Sequence, residues 1–342
     1  MSLKNLSVRN KIPNNYKFKL TNQRVSQIYK KFEDSFRINT NFIVAVSGGA
    51  DSLSLSYLSK IFAYKNDLNP KYYIVDHKLR KDSTNEALKV KKVLKSLNIN
   101  AQILTVKGKK PQNGIQSFAR DKRYNLLFSQ CKKLKIDNLV LGHHMDDLLE
   151  NFFLRMARGS GLKGLVSLGE KTRIQGINLI RPLIKFDKKD LLFISKFIFN
   201  FHVYDPSNYD LKFNRIKIRD LIEKFNSIGL DKKKIQLTLE NLRRSDQTIR
   251  FYVEKNKRLN SIVNIRKKEM ILKKEFFNNS YEVVFRSFSD LIHFMGGKPN
   301  PVRGKKIENL LKKVEKNRLY KVTLGGCVIK MVNDTVILRK EH

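Results

Sequence analysis

Ser47-Gly48-Gly49-Ala50-Asp51-Ser52 is the stretch of this chain whose residue types are best suited to chemistry. Two adjacent glycines let the backbone turn through positive φ, so that successive amide N–H groups can converge on an anion at the positive end of a following helix. The commonest phosphate loop, G-x-x-x-x-G-K-[ST], is excluded because no lysine stands here to reach the outer phosphates. A second set is His143, Asp147 and Glu150, spaced i, i+4 and i+7, which a helix beginning at His143 would place on one face. Two acids three residues apart suit an ammonium ion, from which each carboxylate accepts a charge-assisted hydrogen bond. His and Asp are equally good metal ligands, and a solvated helix face shows the same spacing.

Both sets lie where a strand gives way to a helix. Phe42-Ile43-Val44-Ala45-Val46 precedes the first set and Leu53 to Leu58 follows it, which reads as strand, tight loop, helix. Tyr72 to Val75 forms a second strand ending at Asp76-His77-Lys78-Leu79-Arg80. Ser83 and Glu86 match a capping box that opens a helix with Ala87, Val90, Leu94 and Leu97 on one face. Ala101 to Val106 is the next strand, Ile115 to Leu134 a helix carrying Arg120 and Arg123, and Asn138 to Leu141 a strand leading into His143-His144-Met145-Asp146-Asp147. This alternation predicts an α/β fold, a parallel sheet with helices on both faces, whose ligands sit beyond the carboxyl ends of the strands.

Farther on, the basic glycine-rich loop Arg158-Gly159-Ser160-Gly161 lets backbone approach phosphate. Arg181-Pro182-Leu183-Ile184 is expected to close a further strand, Asp187 to cap a helix to about Asn200, and a basic helix to begin near Arg215. The expected organisation is a flexible basic leader over 1–20, the α/β domain over 21–225, a helical connector over 226–274 and a small α+β C-terminal domain over 275–342. Strands meeting at Asn333-Asp334 should form a hairpin in the last of these.

A length of 342 residues leaves room for two domains, and 41% hydrophobic content excludes wholesale disorder. No run approaches the roughly 18 apolar residues of a membrane helix. Seventy Lys and Arg against 31 Asp and Glu give a formal charge of +39, for which nucleic acid is the first partner to consider. Cys131 and Cys327 are the two cysteines and no C-x-x-C occurs, so neither a disulfide framework nor a cysteine-held metal is expected. The lysine-bearing N-terminus lacks the apolar core of a secretory signal, and a cytoplasmic protein without membrane partners is expected. The oligomeric state stays open, a homodimer included.

Seven motifs stand in one order: Ser47 to Ser52, Asp76 to Arg80, Ala119-Arg120 with Arg123-Tyr124, His143 to Glu150, Arg155 with Arg158-Gly159-Ser160-Gly161-Leu162, Arg181-Pro182-Leu183, and Asp205-Pro206-Ser207-Asn208. Together they resemble the tRNA(Ile)-lysidine synthetase family of PP-loop ATP pyrophosphatases. Leu324-Gly325-Gly326-Cys327 is similar to that family's C-terminal tRNA-binding module. The resemblance implies an adenine nucleotide α-hydrolase-like fold and a ligase of tRNA processing. In that reaction cytidine 34 of the CAU anticodon of tRNA(Ile) attacks the α-phosphate of ATP and pyrophosphate leaves; the ε-amine of L-lysine then attacks C2 and AMP leaves.

By the same resemblance, Ser47, Gly48, Gly49, Ala50, Asp51, Ser52, Asp76 and His77 would bind ATP, with Mg²⁺ at Asp51. Asp51, Arg123 and His143 would be catalytic, Asp147 and Glu150 would bind lysine, and Arg158, Arg215 and Arg219 would contact tRNA. Ile216-Lys217 departs from the family's usual Arg-Asn-Arg run, and Leu148 from its frequent glutamine. Two other functions compete. A PP-loop tRNA thiolase is disfavoured by the lack of C-x-x-C cysteines, and a non-catalytic RNA-binding protein accounts for the charge but not for the loop and acids together.

Overall fold

The computed structural model describes residues 12–341 apart from 81, 109–110, 112–113, 205–213, 228, 230 and 299. The Asp205-Pro206-Ser207-Asn208 turn and the first 11 residues of the expected leader therefore lie outside the described residues. The chain divides between Gln236 and Leu237 into two compact units. The first contains α1 (Asn14–Leu20), α2 (Gln23–Ser35), β1 (Ile43–Val46), α3 (Ala50–Asn66), β2 (Lys71–Asp76), α4 (Ser83–Lys95), β3 (Ala101–Thr105), α5 (Ile115–Leu134) and β4 (Asn138–Val140). It continues with α6 (Met145–Met156), α7 (Leu162–Leu165), β5 (Lys171–Ile174), β6 (Ile177–Ile180), α8 (Lys188–Phe199) and α9 (Asn214–Ser227).

β1 is apolar at every position because both of its faces are covered. Val44 and Val46 enter one core with Phe32, Leu53, Val90 and Ile194, while Ile43 and Ala45 point into another with Tyr73, Leu127, Phe128 and Leu139. The sheet order is β3-β2-β1-β4-β6-β5, parallel except for the edge strand β5, which pairs antiparallel with β6. Because β2 and β4 flank β1, the winding reverses at β1 and a crevice opens beyond the carboxyl ends of β1 and β4. Gly142, just after β4, lies against the loop after β1: a Cβ there would be 3.3 Å from the Asp51 carbonyl carbon. Glycine is what lets the two loops come this close.

Several sequence expectations are corrected. The leader was expected to stay flexible to residue 20, but α1 is ordered against the core: Tyr16 is buried, stacks on Tyr57 at 5.4 Å and donates its hydroxyl hydrogen to the Leu97 carbonyl. The Ser83/Glu86 capping box does not form. The Ser83 hydroxyl donates instead to Asp76, and Glu86 pairs with Arg80. α6 begins at Met145 rather than at His143, because His144 is its N-cap.

The second unit takes most of α10 (Lys232–Asn260), followed by β7 (Ser261–Asn264), β8 (Glu269–Leu272), α11 (Tyr281–Gly296), α12 (Gly304–Glu315), β9 (Lys321–Leu324), β10 (Cys327–Val332) and β11 (Thr335–Lys340). The expected connector therefore ends early. Residues 261–272 form a hairpin that joins an antiparallel sheet of order β7-β8-β11-β10-β9, since Met270 and Leu272 have a core to enter with Phe288, Ile292, Ile329 and Leu338. The β10–β11 hairpin turns at Asn333-Asp334, both with positive φ (43° and 53°), as a two-residue turn of the primed type requires.

Candidate functional site

β1 ends at Val46 and α3 begins at Ala50, leaving Ser47-Gly48-Gly49 to make the connection. Gly48 has φ of +89°, and a Cβ on it would meet a Val90 methyl at 2.6 Å, so both the turn and its packing need glycine. Ser52 Oγ, one turn into α3, accepts the N–H of Ser47 (3.1 Å) and of Gly48 (3.0 Å) and donates to the Gly49 carbonyl (3.0 Å). The Ser47 and Gly48 amides are thus held by a side chain. The first-turn amides of α3, which have no intrahelical acceptor, are the ones that remain to face a phosphate. Gly49 is the N-cap and supplies no side chain to compete for them.

Asp51 sits in that first turn. Its Oδ1 is buried without a hydrogen-bond partner among the described residues, while Oδ2 lies 3.6 Å from His144 Nε2 and 3.7 Å from Lys188 Nζ. His144 is buried, and its Nδ1 accepts the Asp146 N–H at 3.2 Å. The proton of a neutral His144 ring is therefore on Nε2, which faces Asp51 and, also at 3.6 Å, Asp147 Oδ2. One imidazole thus bridges the glycine loop and the acid helix. Asp147 Oδ2 also accepts the His144 backbone N–H at 3.0 Å. Burial opposes its ionisation, but His144, His143, that backbone N–H and Lys188 together hold the carboxyl below the usual range.

A cationic wall of Arg120, Arg123 and Arg181 acts on His143, and Arg123 acts on His77 as well. His77 follows β2; its Nδ1 is buried without a partner among the described residues, and burial and the Arg123 charge push its pKa down. On α5 the guanidinium groups of Arg120 and Arg123 lie 5.1 Å and 5.4 Å from the Tyr124 ring centroid. Arg181, next after β6, is 3% exposed and donates Nε–H to His143 Nδ1 at 3.2 Å and Nη1–H to the Gly169 carbonyl (2.9 Å) and Thr172 Oγ1 (3.0 Å). Burial, against the attraction of Asp147 and with repulsion from Arg181, Arg123 and Arg120, pushes the His143 pKa down to about 3.

Two expected ligand residues are engaged otherwise. Asp76, expected to face ATP, accepts from the Lys78 N–H (2.9 Å), the Ser83 hydroxyl (2.8 Å) and the Thr84 hydroxyl (2.7 Å), so it fastens the start of α4 to β2. Glu150 is buried and paired with Arg219 of α9, which joins an expected lysine ligand to an expected tRNA contact. Asp146 pairs with Lys232 at 2.6 Å. Arg158 is exposed in the turn after α6; Arg215 lies on α9, with its side chain outside the described residues. Lys188 and Lys232 escape sequence reasoning because their partners, Asp51 and Asp146, are remote in the chain, and the approach of His144 to Asp51 does so for the same reason; Arg181 is visible only as part of its Arg-Pro-Leu motif.

The PP-loop domain family matches residues 19–225. A tRNA(Ile)-lysidine synthase of Wolbachia sp. subsp. Brugia malayi is 30% identical over 323 residues, covering 93% of this chain and 74% of that protein. One from Rickettsia akari is 32% identical over 329 residues, covering 92% and 74%. The chain belongs to the tRNA(Ile)-lysidine synthase family of PP-loop proteins.

Among solved structures, a U34-tRNA thiolase from Methanococcus maripaludis superposes with a TM-score of 0.54 at 20% identity, covering 64% of this chain and 79% of that one, a likeness of fold. The Ser47–Ser52 segment lies within the matched PP-loop domain, and the orphaned Asp51 Oδ1 beside it fits Mg²⁺. That ion takes few carboxylates plus phosphate oxygens, and an orphaned carboxylate oxygen at a phosphate loop is what it needs. Among the described residues no helix is long and apolar enough to cross a membrane.

Proposed function

We propose that this chain ligates L-lysine to C2 of cytidine 34 in the CAU anticodon of tRNA(Ile), using ATP and releasing pyrophosphate and AMP. The observation that carries this reading is His144 Nε2, 3.6 Å from both Asp51 and Asp147, which brings the Ser47–Ser52 loop beside an acid suited to an ammonium group. The first turn of α3 and the Ser47 hydroxyl hold the phosphates, and Asp51 holds Mg²⁺, which would neutralise phosphate charge when bound. In the first step the cytidine O2 bonds to the α-phosphorus and pyrophosphate leaves. Arg120, Arg123, His77 and His143 stabilise the charge that builds on the phosphoryl oxygens.

In the second step the lysine ε-amine bonds to C2 and AMP leaves. Asp147 accepts a hydrogen bond from the ammonium group and positions it, and the proton that the amine loses before attack passes to water. Glu150 holds Arg219 beside this pocket, so the two acids share the cationic load of substrate and protein. A thiolase reading fits poorly: Cys131 and Cys327 lie in different units, both buried, with burial pushing each thiol up to about 11. A reducing cytoplasm suits these free thiols.

Measuring the two half-reactions separately tests the reading. Asp51→Asn should abolish both tRNA-dependent pyrophosphate release and transfer of labelled lysine. Asp147→Asn should keep pyrophosphate release and raise the KM for lysine by about tenfold to a hundredfold, as expected from about 1.5–3 kcal/mol for a hydrogen bond to a charged group. Equal loss of both half-reactions in Asp147→Asn would refute the division of labour.

A further inference from the structure

Arg181 has a chemical consequence for His143 that its position alone does not announce. It is 3% exposed, and the acceptors of its described hydrogen bonds are a carbonyl, a hydroxyl and an imidazole nitrogen, none of them a carboxylate. The Gly169 carbonyl and Thr172 Oγ1, at the start of the β5–β6 hairpin, fix the plane of the guanidinium by two Nη1–H bonds. Its Nε–H is thereby aimed at His143 Nδ1 at 3.2 Å.

A guanidinium has donors and no acceptor and keeps its charge in proteins. The direction of this hydrogen bond is therefore unambiguous: His143 Nδ1 accepts, and the ring proton of the neutral imidazole must sit on Nε2. The usual partner of a catalytic histidine is a carboxylate or carbonyl, which receives Nδ1–H and leaves Nε2 as a base. Arg181 enforces the opposite arrangement. The groups acting on His143 are Asp147 from α6, Arg120 and Arg123 from α5, and Arg181 after β6, three cations against one anion.

We propose that Arg181 is a positioning residue that locks His143 as a neutral Nε2–H hydrogen-bond donor, so that His143 serves the phosphoryl step by donating to developing negative charge and not by accepting a proton. This rests on the ligase reading for the identity of the charge, which builds on the α-phosphate and the departing pyrophosphate. The tautomer itself does not depend on that reading. It also explains how a buried arginine without a carboxylate partner among the described residues is useful here: its charge adds to burial in keeping a neighbouring imidazole neutral.

The test is nitrogen NMR of the full-length protein labelled at its six histidines, with the His143 signals assigned by their loss in His143→Asn. The expected wild-type pattern is Nδ1 unprotonated and Nε2 protonated, unchanged between about pH 5 and pH 8, the range where a free imidazole titrates. In Arg181→Met the ring should become a tautomer mixture whose titration moves up toward the ordinary value without reaching it, because burial, Arg123 and Arg120 still oppose protonation. The same variant should lose at least about tenfold in kcat for pyrophosphate release, as loss of an oriented donor does, with little change in the KM for ATP. Arg181→Lys, which keeps the charge and loses the fork, should restore the neutral ring and only part of the rate.

A wild-type His143 protonated on Nδ1, or titrating within that range, overturns the proposal, and this measurement needs no variant to fold. So does an Arg181→Met protein with unchanged tautomer and rate. The predicted tautomer in a protein that makes no lysidine would leave the lock standing and bring down the ligase reading.

Discussion

At the residue scale, the cleft is built from side chains whose protonation is decided by geometry. His144 and His143 are adjacent in sequence, yet each accepts at Nδ1 from a different donor, the Asp146 backbone in one case and Arg181 in the other. Both rings therefore present Nε2–H when neutral, that of His144 to carboxylates. Asp76 shows the same economy in a structural role. Burial raises its pKa, but hydrogen bonds from Thr84, the Lys78 amide and Ser83, with the Lys78 charge, outweigh burial and leave it below the usual value. For a depressed carboxyl, the stability gained is full above the unfolded value of roughly 3.9 and is lost as pH falls through the lower folded value. Asp76→Asn should then cost about 1.5–3 kcal/mol at neutral pH, the worth of hydrogen bonds to a charged acceptor. Denaturant unfolding should show that deficit shrinking in acid, and a deficit independent of pH would contradict the assignment.

At the element scale, the strand-loop-helix unit around Ser47–Ser52 was legible because its signals are local: a β-branched run, two glycines, then an apolar helix. α5 was legible over its full length, Ile115–Leu134, for a similar reason. Features that depend on distant partners were not. The Ser83/Glu86 pattern lost its capping role because Asp76, seven residues away, offered Ser83 a buried carboxylate. The pairing of Glu150 with Arg219 spans 69 residues and has no local signature. Neither does the buried ion pair of Asp246 on α10 with Arg286 on α11, which also binds Glu282, while Asp246 binds Arg250. These helices were expected to belong to a connector and a separate domain, and the shared charge makes them one packing unit. Asp246→Ala leaves Arg286 buried without that acceptor and should destabilise the protein by about 3–5 kcal/mol, read by chemical denaturation. A loss under about 1 kcal/mol would mean that the pair is not holding α10 to α11.

At the scale of the whole molecule, a charge of +39 is distributed over a chain in which a few acids gather at the candidate site. The fold explains the arrangement: the crevice at the sheet's switch point gathers Asp51 and Asp147 in the first turns of their helices, with Glu150 about one turn on, among cations that include Lys188 and Arg219. The family resemblance was readable because seven short motifs keep their order in sequence, and the fold brings those among the described residues that matter most to the ends of β1, β2, β4 and β6. The charges that tune them, Arg181 on His143 and His144 between two acids, became visible only in three dimensions. The central claim is that this cleft joins lysine to a cytidine. The most direct measurement is mass spectrometry of the nucleosides recovered from a CAU-anticodon tRNA after incubation with the protein, ATP and lysine. The account predicts a cytidine carrying lysine at C2 at position 34, formed with one AMP per modified base. Unmodified cytidine 34 from a folded protein that binds both ATP and the tRNA would contradict it.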